Sequence, residues 1–247
     1  MESENILNGS NQQIISAEDC MAAAEAFFTE NNATEAVKYY LNSVLLKRLN
    51  PQAYKGLGKA YYSLKKYDKA IESFKKAAEI TPFDAELYSE LGVCYMAKGN
   101  FCFAARNIIK SIQLDPENTD TQIQLAVCHE IMGEEEMAIM IYGKITETNP
   151  DCRKAYIQKA TLLMKLDRFK DAIDVFRSIL KVDKNYHRAY LGIGICFDKF
   201  GDTSMAKRYY KKFLKLMPDA VNAKTVMQRL FEINQKQPVK ENFLKVV

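Results

Sequence analysis

The sequence predicts an all-α protein built as a solenoid of helix pairs, and three observations carry that expectation. The string LGVCY at 91–95 returns as LGKAY at 57, LAVCH at 125 and IGICF at 193, a period of 34 residues. Ala36, Ala70, Ala104, Ala138, Ala172 and Ala206 keep the same period, and Pro82, Pro116, Pro150 and Pro218 hold another fixed slot with Lys184 filling the gap. Within each period the apolar residues recur three and four apart, as in AELYSELGVCYMA and CFAARNIIKSIQL, and no stretch alternates as a half-buried strand would.

Read in order, residues 1–16 are expected to be a mostly disordered N-terminus, polar over 1–13. Residues 17–220 hold six units, 17–50, 51–84, 85–118, 119–152, 153–186 and 187–220, each a first helix, a short polar break and a second helix. Gly99, Gly133 and Gly201 mark three breaks, where a residue without Cβ can take the left-handed conformation that ends a helix. Thr81-Pro82, Asp115-Pro116 and Asn149-Pro150 separate the units, since proline cannot continue a helix. Gly58, Gly92, Ala126, Ala160 and Gly194 share the slot at which a first helix would cross its partner. Phe74, Tyr142, Phe176 and Tyr210 supply bulk on the second helix, as Tyr54, Tyr88, Tyr156 and Tyr190 do on the first. In 221–235 the residues Val226, Met227, Leu230, Phe231 and Ile233 have helical spacing suited to covering the last unit, which a solenoid needs. Residues 236–247 follow as a tail, extended after Pro238 and ending in an apolar cluster.

The balance of 48% hydrophobic and 27% charged residues fits a globular chain rather than a fibrous or low-complexity one. No apolar run reaches the roughly 18 residues of a membrane span, and the N-terminus lacks a signal-peptide pattern, so a cytoplasmic, non-membrane protein is expected. The six cysteines contain no Cys-x-x-Cys pair and are expected to be reduced thiols. The net charge of +4 is unevenly spread: 1–152 carry 14 basic and 22 acidic residues, 153–247 carry 21 and 9.

None of the candidate reactive groups makes a convincing catalytic or metal site. Cys94, Cys128 and Cys196 occupy the slot that Ala60 holds in the second unit, so a small buried side chain is the simpler reading. Cys128 and His129 are adjacent in sequence, which on a helix points them about 100° apart. His187 has no ligand partners in view, and there is no phosphate loop, Gly-x-Ser-x-Gly or His-Glu-x-x-His string. No catalytic residue, cofactor or metal is therefore expected. Glu134, Glu135 and Glu136 suit the start of a helix. The basic run Lys207, Arg208, Lys211, Lys212 and Lys215 reads as a solvated face, which disfavours nucleic acid as a partner without removing it.

Tyr54, Leu57, Gly58, Tyr61, Ala70, Phe74, Ala77 and Pro82, and again Tyr88, Leu91, Gly92, Tyr95 and Ala104, make the sequence resemble the tetratricopeptide repeat family. The first unit is degenerate, and the fifth has Lys159 in the leucine slot. The resemblance implies a right-handed superhelix whose first helices line a concave groove. The groove slots are then Met21 and Phe28; Lys55, Lys59 and Tyr62; Ser89, Glu90, Val93 and Met96; and Ile123, Gln124, Val127 and Ile131. They continue as Ile157, Gln158, Met164 and Lys165, then Arg188, Leu191, Ile195 and Lys199. The lysine and asparagine clamp of chaperone-binding relatives is missing from these slots. The implied role is a non-catalytic adaptor or assembly scaffold that holds a peptide or helix of another protein, apolar with an acidic end over the fifth and sixth units. The alternatives are a secretion or pilus-assembly chaperone and an RNA-binding or enzyme-regulating scaffold. The C-terminal tail either enters a groove, its own or a neighbour's in a homodimer, or is a frayed end.

Overall fold

The computed structural model describes residues 16–235, and all secondary structure among them is helical. Two compact units are present, one ending at Glu134 and the other starting at Glu135. This division falls inside the expected 119–152 unit. The expectations for residues 1–15 and for the 236–247 tail lie outside the described residues.

The first unit contains α1 (Ala17–Thr29), α2 (Ala33–Leu46), α3 (Pro51–Ser63), α4 (Tyr67–Ile80), α5 (Ala85–Ala97), α6 (Phe101–Leu114) and α7 (Thr119–Ile131). Its closest packing joins α1 to α2, α3 to α4 and α5 to α6, and each pair then leans on the next. The second contains α8 (Glu135–Thr148), α9 (Arg153–Lys165), α10 (Phe169–Val182), α11 (His187–Lys199), α12 (Thr203–Leu216) and α13 (Ala223–Gln235). Here α9 pairs with α10 and α11 with α12, while α13 packs on α12. Each unit is thus a solenoid of helix pairs in which neighbours in sequence are neighbours in space.

The helix starts are written locally. Ser16 and Asp19 form a capping box on α1, and Asn50, Asn118 and Asp202 accept a backbone N–H at the starts of α3, α7 and α12. Pro82 and Pro116 lie in the turns, past the last residues of α4 and α6, and the next helices are opened instead by the caps Asp84 and Asn118. The break after each first helix requires one left-handed residue: Asn31 (φ 64°), Lys65 (φ 58°), Gly99 (φ 76°), Gly133 (φ 77°), Asp167 (φ 56°) and Gly201 (φ 82°), each 34 residues from the last.

Small residues permit the crossings. A Cβ on Gly58 would stand 2.8 Å from the Phe74 ring, one on Gly92 2.5 Å from Ile108 Cγ1, and one on Gly194 2.6 Å from Tyr210. Ser43 and Ser111, two periods apart, donate from within the core to the carbonyls of Ala17 and Ala85, both at 2.8 Å. The lysine in the leucine slot also has a structural answer. Gly143 on α8 leaves open the space beside the Lys159 ammonium, because a Cβ there would lie 3.0 Å from Nζ. Among the described residues no helix is long and apolar enough to cross a membrane.

Candidate functional site

The thiols carried by the repeat slot are structural. Cys94, Cys128 and Cys196 are completely buried, and burial pushes their pKa up, to about 12 for Cys94 and about 11 for the other two. Such groups stay protonated and pack as small apolar side chains. His129 Nδ1 sits against the Glu134 carboxylate and not against a thiol, and the His187 ring lies near those of Tyr186 and Phe213. No group of three or more His, Cys, Asp or Glu side chains able to hold a metal occurs among the described residues.

In the first unit, the expected groove slots are largely engaged with one another. Lys55 Nζ reaches Asp84 at 3.2 Å and Glu86, and Lys59 reaches Glu86 at 2.7 Å and Glu90 at 3.7 Å. These pairs tie α3 to α5. Partial burial opposes the charge on Lys55, but its bonds to Glu86 and Asp84 outweigh that and leave its pKa raised. Burial raises Glu90 as well, despite the nearby Lys59. Ser89 Oγ donates to Gln124 Oε1 at 3.4 Å, joining α5 to α7. Met21, Phe28 and Tyr62 lean on the core of α1–α5, and Met96 on that around Ile108. Val93 and Val127 are half-buried and Ile131 is exposed. Ile123 departs from the expectation. It is buried, at 3% exposure, and lines no surface. In the two preceding repeats the same slot holds Lys55 and Ser89, polar residues that bond across to α5 and α7, whereas the apolar Ile123 is withdrawn from solvent.

In the second unit six of the expected residues come together. Ile157, Met164 and Lys165 from α9 and Arg188, Leu191 and Ile195 from α11 line a cleft of about 570 Å³, joined by Thr161, Phe176, Gly192 and Asn222. Spacings of three, four and seven place each set on one face of its helix. Gly192 opens the floor, since a Cβ there would lie 2.3 Å from the Phe176 ring behind it. Gln158 and Lys199 belong to the same helices but do not line the cleft. Its surface is an apolar floor of Ile157, Met164, Leu191 and Ile195 with the cations Lys165 and Arg188 at its margin, both exposed.

Leu191, Ile195 and Asn222 are shared with a second hollow of about 260 Å³, completed by Tyr210, Thr225, Val226 and Arg229. The helix α13 therefore covers the last pair and also walls the site. It is held by a polar junction: Arg229 Nε and Nη2 donate to the two Asp198 carboxylate oxygens at 2.7 and 2.8 Å, Nη1 donates to Glu232 at 2.9 Å, and Tyr210 donates to Asp198 at 3.1 Å. The Arg229 bond holds Asp198 below the usual carboxylate range against the opposing effect of burial. Burial, and then Asp198, push Tyr210 up. Arg229 is thus engaged with Asp198 and Glu232, and the cations that line the cleft are Lys165 and Arg188. Sequence reasoning missed Gly192 and its counterpart Gly56, where a Cβ would meet the Tyr40 ring at 2.3 Å. The two share one slot four periods apart, and that coincidence was the available signal.

Residues 58–99 match a family model described as TPR repeat, and 157–221 match one described as tetratricopeptide repeat. No curated protein matches the sequence. Similar solved structures include PilW, reported as a widely conserved type IV pilus biogenesis factor, with TM-score 0.63 and 19% identity over 88% of this chain and 100% of that one. The pilF protein of Pseudomonas aeruginosa gives TM-score 0.62 and 15% identity over 86% and 97%. YrrB, reported as a TPR protein with an unusual peptide-binding site, gives 0.58 and 17% over 76% and 97%. At these identities the solved structures establish the fold alone. The two family matches, in step with the 34-residue register, identify tetratricopeptide repeats in this chain over 58–99 and 157–221.

Proposed function

We propose that the protein is a non-catalytic binding scaffold whose second unit holds a peptide segment of a partner, apolar along its length and acidic at its flank. The observation that carries this reading is the 570 Å³ cleft of α9 and α11, with Ile157, Met164, Leu191 and Ile195 beneath and Lys165 and Arg188 beside it. A concave apolar surface with a few polar groups at its edge is the usual form of a ligand site. Methionine on the floor lets such a surface adapt to more than one side chain. Cations at the margin select an acidic ligand and speed its approach more than they tighten the final complex. YrrB, reported with a peptide-binding site, offers a precedent for peptide binding on this fold. The pilus-related neighbours supply a precedent for assembly work, but no residue in the cleft favours that reading over a general adaptor.

The test uses the full chain and two labelled peptides with the same apolar residues, one flanked by aspartate and glutamate, the other by lysine. The acidic peptide is expected to bind in preference, with an association rate that falls as salt rises. The Lys165→Glu, Arg188→Glu double variant should slow that association by about tenfold. Equal binding of both peptides, or an unchanged rate in the double variant, would overturn the proposal.

A further inference from the structure

A second surface, on the opposite side of the helix layer in the first unit, is built for contact. At the slot held by Leu45 on α2, the other five repeats carry Glu79, Gln113, Glu147, Lys181 and Lys215. The repeat therefore asks for a polar, solvated residue there, and leucine is not needed for packing one pair on the next. Leu45 is 66% exposed and Leu49, past the end of α2, is 76% exposed. Leu41 is also exposed. Contiguous exposed leucines of this kind mark contact sites more often than lone ones do.

Leu41 and Leu45 border a cleft of about 430 Å³ with the form of a trough for a helix. One wall is Leu41, Val44 and Leu45 on α2 with Arg48 just past its end, and the other is Lys69, Glu72, Ser73 and Lys76 on α4. The α4 set runs at spacings of three, four and seven, one continuous helix face, and Leu41, Val44 and Leu45 share one face of α2. Tyr54, Leu57 and Tyr61 of α3 form the floor. Lys76 stands over the Tyr54 ring at 5.9 Å and Lys69 over the Tyr61 ring at 5.6 Å, so both cations border the apolar floor. Glu72, the one acidic group in the lining, is paired with Lys76 at 2.9 Å. With Arg48, Lys69 and Lys76 against Glu72, the trough is basic.

We propose that this outer trough docks an amphipathic helix of another protein whose apolar stripe is flanked by acidic residues. The two walls at helical spacing, the apolar floor and the sign of the rim all match such a ligand. A second copy of this chain would bring two basic rims face to face, an unfavourable arrangement. A flat lipid surface would leave the concave floor unfilled. The inference does not depend on the cleft of the second unit.

The probe is a synthetic amidated helix with leucines at i, i+3, i+4 and i+7 flanked by glutamates, titrated against the full chain by fluorescence anisotropy, with a lysine-flanked version as comparator. The acidic helix should bind in preference. Leu45→Glu should weaken it by about tenfold or more, the loss expected for one interfacial leucine, with an unchanged melting curve because the site is on the surface. Lys165→Glu with Arg188→Glu should leave this binding unaltered. The proposal is overturned if the acidic helix does not bind, if Leu45→Glu has no effect, or if the cleft reversal abolishes binding. It is equally overturned if binding appears only after residues 1–15 are removed, if Leu45→Glu turns a dimer into a monomer, or if phosphatidylserine/phosphatidylcholine vesicles capture the chain through Leu45 while the peptides do not.

Discussion

Replacing Gly92 by alanine places a methyl carbon 2.5 Å from Ile108 Cγ1 and 3.1 Å from its Cδ1, with the Ala104 carbonyl 3.5 Å away. Carbon atoms prefer separations of about 3.5–4.0 Å, so something must move by an ångström or so. Ile108 is completely buried and cannot swing into solvent. Overpacking of this kind costs about 1–3 kcal/mol, offset by about 1 kcal/mol because alanine is the better helix former. The expected net effect is a loss of about 0–2 kcal/mol, too small to interpret alone, and a double-mutant cycle isolates it. In an Ile108→Ala background, which itself costs about 2–5 kcal/mol, the clashing atoms are gone and Gly92→Ala should instead stabilise by up to about 1 kcal/mol. Urea unfolding followed by far-ultraviolet circular dichroism supplies all four corners. If Gly92→Ala has the same effect in both backgrounds, the crossing of α5 with α6 at this glycine is wrong, and with it the register of the repeats.

Three further outcomes follow from other parts of the molecule. Lys65→Gly should raise stability by about 0.5–1 kcal/mol in the same assay, since a lysine now occupies the left-handed slot that Gly99, Gly133 and Gly201 fill without strain; a loss would contradict that reading. On brief iodoacetamide treatment, peptide mass spectrometry should find the exposed Cys102 modified while Cys94, Cys128 and Cys196 remain intact, and early labelling of those three would disprove their burial. Asp198 has a folded pKa below its unfolded one, so its contribution is present above the unfolded value and is lost as the pH falls through the folded one. Hydrogen exchange in α13 should therefore accelerate in acid earlier than in α9, and Asp198→Asn should bring that acceleration to neutral pH; indifference of α13 to both changes would remove the junction from the account.

The helix pairs were legible in the sequence because a 34-residue period states each structural demand several times. A degenerate unit such as the first, or a misfit such as Lys159, is then read through its neighbours. What escaped notice were demands met by unlike residues. Asn31, Lys65 and Asp167 take the same backbone turn as the glycines, yet only the glycines announce it. Gly143 and Lys159 fit each other from different helices, a compensation visible only once their distance is known. The residues of the inner slots are fixed by the repeat, but their exposure is not. Whether a slot residue faces solvent depends on what its neighbour does, so Lys55 and Lys59 are spent on Glu86 while Ile123 sinks into the core. In the second unit Ile157, Met164, Leu191 and Ile195 come together around one cleft.

The most direct test of the scaffold reading is an unbiased one: selection of random displayed peptides on the full chain, followed by titration of the enriched sequences into protein carrying labelled isoleucine, leucine and methionine methyl groups. The account predicts enriched peptides with apolar residues beside aspartate or glutamate, methyl shifts concentrated at Ile157, Met164, Leu191 and Ile195, and slower association of the same peptides with the Lys165→Glu, Arg188→Glu variant. Enrichment of basic peptides, or methyl shifts that leave these four residues untouched, would contradict it.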